Sequence, residues 1–311
     1  MRTSRSTMDR LAHWRLARGM TSYDTTTRTT GTAPQITSAL VTAATGKTGR
    51  RVTERLERLG VRVRAGSRST TPSFDWDDPT TWGPALDGVD AAYLCYVPDL
   101  AVPGATETVT AFVDEAVRRG VGRLVLLSGR GEPEAQRAEL AVQRPGLTWT
   151  VVRCGWFAQN FSEGFFLDAV LAGELALPVG DVREPWVDLD DVADVVVAAL
   201  TEDGHAGRTY DVTGPRLLTF AETVAEIERA AGRPVAFRRC SVEELQADLR
   251  PYGDDLVELM TYLATEVLDG RNAHLGHGVR QALGREPRDV ADYARSAAAS
   301  GVWGAPAGDR S

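Results

Sequence analysis

Lysine is nearly absent from this 311-residue chain: Lys47 stands alone beside thirty-four arginines. Any chemistry that needs an ε-amine at another position is therefore excluded. Cysteine is also sparse. Cys95, Cys154 and Cys240 are odd in number, far apart and without a C-x-x-C pair, which argues for reduced thiols and against a disulfide or zinc framework. The sequence has no run of 18 apolar residues, the length a membrane-spanning helix needs, and the N-terminus carries no apolar core of a secretory signal. A cytoplasmic location is the expectation. The net charge is −8, and the first 35 residues hold six arginines against two aspartates, a local +4 that leaves −12 on the remainder. So acidic a chain offers no basic face for nucleic acid. The expected partner is a small molecule, with no nucleic acid and no membrane.

Apolar residues make up 43% and charged residues 25%, enough for a substantial core. Residues 1–35 are polar and Thr-rich after a short Arg-rich stretch, and they read as a leader or linker with little to bury. From Ile36 to Ser69 the pattern becomes strand, glycine turn, helix, strand. SALVT is a short apolar run; Gly46 and Gly49 follow; Val52, Leu56 and Leu59 then share one helical face; Gly60 stops that helix, and VRVRAGSR alternates with period two. Such a unit places a pyrophosphate on a helix N-terminus, where free N–H groups and the helix dipole favour an anion. The glycines are the last two of a G-x-x-G-x-x-G pattern, with Ala43 at the first position. An alanine there is expected to keep φ negative.

Strand and helix go on alternating to Arg153. A short strand is expected around FDW, followed by a helix capped by Asp78 with Pro79 at its first position. AAYLCYV, GRLVLLSG and LTWTVVR read as buried strands, separated by helices over GATETVTAFVDEAVRRG and EPEAQRAELAVQR. This order implies an α/β fold of Rossmann type, a doubly wound parallel sheet with right-handed crossovers. Residues 36–153 would form the Rossmann core. Residues 154–311 would supply the remaining sheet elements and a smaller, mainly helical lobe over the sheet's carboxyl edge, where ligands bind in such folds.

The end of the second strand selects the cofactor. An NAD site places an acidic residue there for the ribose 2′-hydroxyl; this chain has Ser67 and Arg68. A guanidinium suits a 2′-phosphate, so NADP(H) is preferred, with NAD(H) possible. Lys47 and Arg50 either add positive charge beside the phosphates or are simply solvated.

VTAATGKTGRRVTERL with VRAGSRS, then VGRLVLLSG, LTWTVVRCGWFAQNF and WVDLDDVADVVVAAL, resemble the NmrA-like family of atypical short-chain dehydrogenases. FDWDDPTTW and the ending VRQALGREPRDVADYARSAAASGVW resemble most its ergot-alkaloid branch, of festuclavine and agroclavine dehydrogenase type, with its bacterial relatives. The resemblance spans residues 36–304. It implies cofactor contacts at Thr45, Gly46, Lys47, Thr48, Gly49 and Arg50, at Arg68 and Trp76, at Tyr96, Val97 and Pro98, at Ser128 and Gly129, and at Cys154, Gly155, Trp156 and Phe157.

The departures limit the chemistry. Typical short-chain dehydrogenases reduce carbonyls with a Tyr-x-x-x-Lys pair on the helix after the fifth strand. Here the matching positions are Gly131 and Ala135, while Glu139 matches the family's glutamate. With no ammonium beside a phenol, the usual lowering of a tyrosine pKa is missing. Two readings remain. One is a hydride transferred to an acceptor that needs little acid help, such as an iminium, a quinone or an activated alkene. The other is a regulator that senses NAD(P)(H) and acts through a protein partner.

Tyr96 is the one candidate proton donor, with a packed aromatic as the alternative. Cys95 and Cys154 read as structural thiols. Trp156, Phe157, Asn160 and Phe161 should line a substrate pocket roofed by Met260 and Tyr262, and Trp149 should be core. His274 and His277, three apart on an expected helix, have no third ligand close by, so no metal is expected. Asp188, Asp190, Asp191 and Asp194 have the spacing of an N-cap and a helix surface.

Overall fold

A computed structural model describes residues 36–304; the expected leader over residues 1–35 lies outside the described residues. In chain order, β1 (Ser38–Thr42) leads through α1 (Lys47–Arg58) to β2 (Arg62–Gly66). Then come α2 (Trp82–Leu86), β3 (Ala91–Leu94), α3 (Ala105–Arg118), β4 (Arg123–Gly129), α4 (Pro133–Val142) and β5 (Thr148–Cys154). Beyond these lie α5 (Asn160–Glu163), α6 (Leu167–Ala172), β6 (Glu174–Leu177), β7 (Arg183–Glu184), α7 (Leu189–Thr201) and β8 (Arg208–Val212). The chain continues through β9 (Leu218–Thr219), α8 (Phe220–Ala231), β10 (Ala236–Arg239), α9 (Val242–Leu249), α10 (Asp254–Tyr262), α11 (Gly278–Leu283) and α12 (Val290–Ala299).

Six strands make one parallel sheet in the order β2-β1-β3-β4-β5-β8. Its central strands β1 and β3 are buried on both faces because both are covered. In β4, Val125 belongs to the core packed against α1 and α7, while Leu124 and Leu126 belong to the opposite core, built with α3 and α4. Period two alone sends neighbours to opposite sides. Chain direction across the sheet reverses at β1, which lies between β2 and β3. That is the switch point where such sheets open a crevice.

The strand expected around FDW does not form, and the sheet ends at β2. Local hydrogen bonds compete with a ladder in this acidic stretch: Asp75 Oδ1 accepts from the Asp77 N–H at 3.1 Å and Asp78 Oδ1 from the Thr80 N–H at 3.0 Å. Phe74 and Trp76 instead plug the core beside Phe112. Asp78 does cap the next turn, with Pro79 in its first position.

The C-terminal part is chiefly helical, yet it contains two small sheets that the helical reading missed, β6 with β10 and β7 with β9. Its own core gathers around Trp186, Phe161, Phe220 and Trp303. After α10 the chain makes a π-helical turn over Leu263–Val267. The two histidines are not on a helix: α11 begins at Gly278, after His277.

Candidate functional site

The glycine turn is built by close approach of backbone to backbone. Thr42 Oγ1 donates to the Tyr93 carbonyl at 3.1 Å and accepts from the Cys95 N–H at 2.7 Å, which ties the tip of β1 to β3. Ala43 then adopts φ +49°, the one positive φ outside glycine among the described residues. The expectation of a negative φ is thus wrong. Left-handed backbone costs an alanine on the order of 1–2 kcal/mol, and the turn requires it for the Ala43 carbonyl to accept from the Gly46 N–H at 2.8 Å. A Cβ on Gly49 would stand 2.2 Å from that carbonyl oxygen and 2.8 Å from Ala44 Cα, so α1 reaches the turn only as glycine. Gly46 is the N-cap, extended and without a side-chain cap, and no acidic residue lies in the first turn of α1. The free N–H groups there, with the dipole behind them, suit a pyrophosphate.

Arg68, two residues past β2, is exposed and makes no hydrogen bond or ion pair with a described residue. Arg50 is engaged by Glu163, which also takes Arg51 at 2.7 Å. Lys47 is neither solvated nor merely a phosphate neighbour: Nζ donates to Asn160 Oδ1 at 2.6 Å and lies 5.9 and 5.5 Å from the Phe157 and Phe165 ring centres. Burial lowers the pKa of this ammonium, with Glu163 acting in the opposite direction. Gly164 gives it room, since a Cβ there would be 2.9 Å from Nζ.

A cavity of about 320 Å³ opens at the carboxyl ends of β1, β3, β4 and β5. Of the residues expected around a cofactor, Gly46, Lys47, Thr48, Tyr96, Val97, Pro98, Ser128, Gly129, Cys154, Gly155, Trp156 and Phe157 line it. Thr45, Gly49, Arg50, Arg68 and Trp76 do not. Trp76 lies behind the wall, with its indole N–H donating to the Cys95 carbonyl at 3.2 Å and its ring 5.1 Å from that of Tyr96. Tyr96 is half-buried and follows β3 by two residues instead of ending the strand. Burial pushes the thiols of Cys95 and Cys154 up, so neither is a ready nucleophile.

Asn160 lines the cavity as expected, but Phe161 is fully buried in the C-terminal core and Met260 is 3% exposed there. The roof is made by Leu259, Leu263 and Val267 instead. The face that α10 presents is thus one residue away from the expected one, and the π turn carries it on. Tyr262 stands outside the lining. The aspartates of α7 are structural: Asp188 caps the helix, Asp190 and Asp194 hold Arg55 at 2.7 Å, and Asp191 takes Arg285 at 2.7 Å.

Three residues in the wall were not singled out from the sequence. Arg130 is buried and staples the C-terminal part to the sheet, donating to Asp211 at 2.7 Å and to the carbonyls of Asn272 and His274 at 2.8 and 2.7 Å. Asp99 and Glu132, in the loops that follow β3 and β4, both line the cavity, and each bears on the protonation of the other. Burial, and then the Asp99 charge, push Glu132 up to about 8, and burial raises Asp99 too. The only signal in the sequence is a carboxylate directly before Pro133 in a strand-to-helix turn.

Residues 43–203 match the model of a family described as NAD(P)H-binding. The (4-alkanoyl-5-oxo-2,5-dihydrofuran-3-yl)methyl phosphate reductase of Streptomyces griseus is 33% identical, over 82% of this chain and 95% of its own. Agroclavine dehydrogenase of Claviceps fusiformis is 28% identical over the same shares. Among solved structures, the triphenylmethane reductase of Citrobacter sp., complexed with NADP(H), superposes with a TM-score of 0.68 at 18% identity, covering 84% of this chain and 99% of that one. NmrA, a negative transcriptional regulator in complex with NAD, gives 0.63 at 18% identity over 84% and 95%. These two likenesses concern the fold. The chain belongs to the NAD(P)H-binding family and is an NAD(P)H-dependent oxidoreductase.

Proposed function

We propose that the protein is an NADPH-dependent reductase that passes hydride to a flat, conjugated acceptor (an iminium, a quinone or an activated alkene) without a Tyr-Lys pair. The observation that carries this reading is the cavity wall itself. Where the pair would stand there are Gly131, two residues before α4, and a fully buried Ala135 on it, and Glu139 is locked to Ser128 Oγ at 2.6 Å and Arg153 Nε at 2.7 Å. The chain's only lysine is held 2.6 Å from Asn160 on the cavity floor. No phenol is thereby activated by an ammonium, which disfavours simple ketones as substrates.

The bound nicotinamide would supply the hydride. The protein's part is to hold the phosphates on the α1 N-terminus, to offer Arg68 to the 2′-phosphate, and to press a flat substrate between Phe157, Trp156 and the Leu259–Leu263 roof. The Streptomyces relative, named for reduction of an alkanoyl-dihydrofuranone phosphate, supports an activated alkene.

The test is NADPH oxidation with a quinone, an enone and an iminium, alongside titration with both cofactors. At least one acceptor should be turned over, and Arg68→Ala should weaken NADPH roughly 10- to 100-fold, the worth of a charge-assisted contact, while barely touching NADH. Tight cofactor binding with no turnover across the panel would favour the regulator. Equal losses for both cofactors would defeat the NADP(H) preference.

A further inference from the structure

We propose that Asp99 and Glu132 hold a single proton between them and donate it to the substrate, so that the acceptors suited to this site are conjugated alkenes and quinones, whose reduction consumes a proton, rather than iminium ions. This inference rests on the reductase reading above.

Geometry comes first. Both carboxyls line the cavity. Glu132 is 8% exposed, and its Oε2 is buried without a partner. It is packed over Gly129, where a Cβ would lie 2.5 Å from Oε1, so the side chain is confined. Asp99 is oriented from its own loop, with Oδ1 accepting from the Ala101 N–H at 2.8 Å.

Among the described residues, nothing around the pair neutralises two negative charges. Arg130, next to Gly131, spends its guanidinium on Asp211 and two carbonyls. Arg271 reaches the Gly131 carbonyl at 3.2 Å but is taken by Asp269 at 2.7 Å. Glu134 on α4 adds negative charge, although Arg137 holds it at 2.6 Å. From α10 comes the Tyr262 phenol, raised first by burial and then by Glu132, and from just past β3 the Cys95 thiol, raised first by burial and also by Asp99. Lys47, on the floor, is committed to Asn160. Two carboxylates in such surroundings cannot both ionise at neutral pH. One added proton gives the orphaned oxygen a partner and makes the pair a hydrogen-bonded acid.

That proton matches a defined chemical need. Hydride addition to the β carbon of an enone forms a C–H bond, oxidises the nicotinamide by two electrons and moves the π pair onto the enolate. Transfer of the Glu132 proton to that enolate completes the saturated ketone and leaves two carboxylates, which regain a proton from water. A quinone takes the same hydride and proton to become a hydroquinone. An iminium takes hydride alone and has no use for the acid.

The experiment uses the full chain loaded with NADP⁺ or NADPH. At pH 7, infrared spectra of the NADP⁺ complex should show a protonated-carboxyl band that is lost in Glu132→Gln. With NADPH, kcat for an enone should fall in the wild type as pH rises through the pair's upper ionisation. In Glu132→Gln the ratio of enone to iminium kcat should drop at least 100-fold, within the range of general-acid catalysis. In Asp99→Asn, which removes the neighbouring charge, the limb should move to lower pH; a purely structural role would not move it. A band unchanged in Glu132→Gln, or superimposable enone profiles, would overturn the donor. A normal band with no turnover of any acceptor would instead overturn the reductase reading, and the donor role with it.

Discussion

Glu184 offers the sharpest test of how burial sets stability in this fold. It is fully buried in β7, and neither carboxylate oxygen has a hydrogen-bond partner. Burial pushes it from 4.5 up to about 7, with the Arg130 charge only partly opposing. Folded Glu184 therefore holds its proton more tightly than unfolded Glu184. Between pH 4.5 and 7 the folded chain carries the extra proton, so unfolding free energy falls as pH rises across that window and levels off above it. The full difference is roughly 3 kcal/mol, of which about 2–3 kcal/mol develops between pH 5 and pH 8. Glu184→Gln keeps the shape and removes the titration. Urea unfolding at pH 5 and pH 8 should show the variant gaining on the wild type by that amount, and standing above it at pH 8. Glu163 and Asp194 work in the opposite sense, held low by arginines, but their stabilisation is lost only as pH falls below the ordinary carboxylate range. Asp99 and Glu132 shift in the same direction as Glu184 but are present in both proteins, so the difference isolates position 184. Parallel pH dependences would refute the reasoning.

Two other perturbations probe the site's scaffold. Gly49→Ala drives a methyl group into the Ala43 carbonyl, a backbone atom that cannot rotate away; about 1–3 kcal/mol of stability should be lost, with NADPH affinity by calorimetry down at least 10-fold, and an unchanged Kd would show that α1 can shift without harm. Arg153→Met strands Glu139, 1% exposed, with only Ser128 as partner; about 3 kcal/mol should go in chemical denaturation, and adding Glu139→Gln should restore part of it, whereas additive losses would show that the two do not interact.

The alternating αβ rhythm was legible because the central strands β1, β3 and β4 are apolar on both faces and α1 and α3 are followed by glycines, Gly60 and Gly120. Those are local regularities, and local regularity is what a linear pattern can carry. The FDW stretch shows the limit. Its aromatic residues look like strand, yet Asp75 and Asp78 bond their own backbone, and the burial of Phe74 and Trp76 needs no ladder. The short pairs β6/β10 and β7/β9 were invisible for another reason: their partners lie 34 to 62 residues apart, and two or four residues carry no periodicity.

For the site, the sequence singled out the turn between β1 and α1, because two glycines spaced between an apolar strand and an amphipathic helix are a local pattern; the structure puts Gly46 in the cavity wall and leaves Arg68 exposed outside it. That Lys47 is the chain's one lysine is likewise legible in the sequence. The tertiary fold decided where Lys47 points, that Ala43 takes a left-handed turn, and that α10 turns Leu259 rather than Met260 to the cavity. It also brought Asp99 and Glu132, 33 residues apart, into one cavity wall with no cation among the described residues to neutralise them. Charges far apart in sequence acquire their chemistry from the distance and dielectric between them, and only the folded chain sets either.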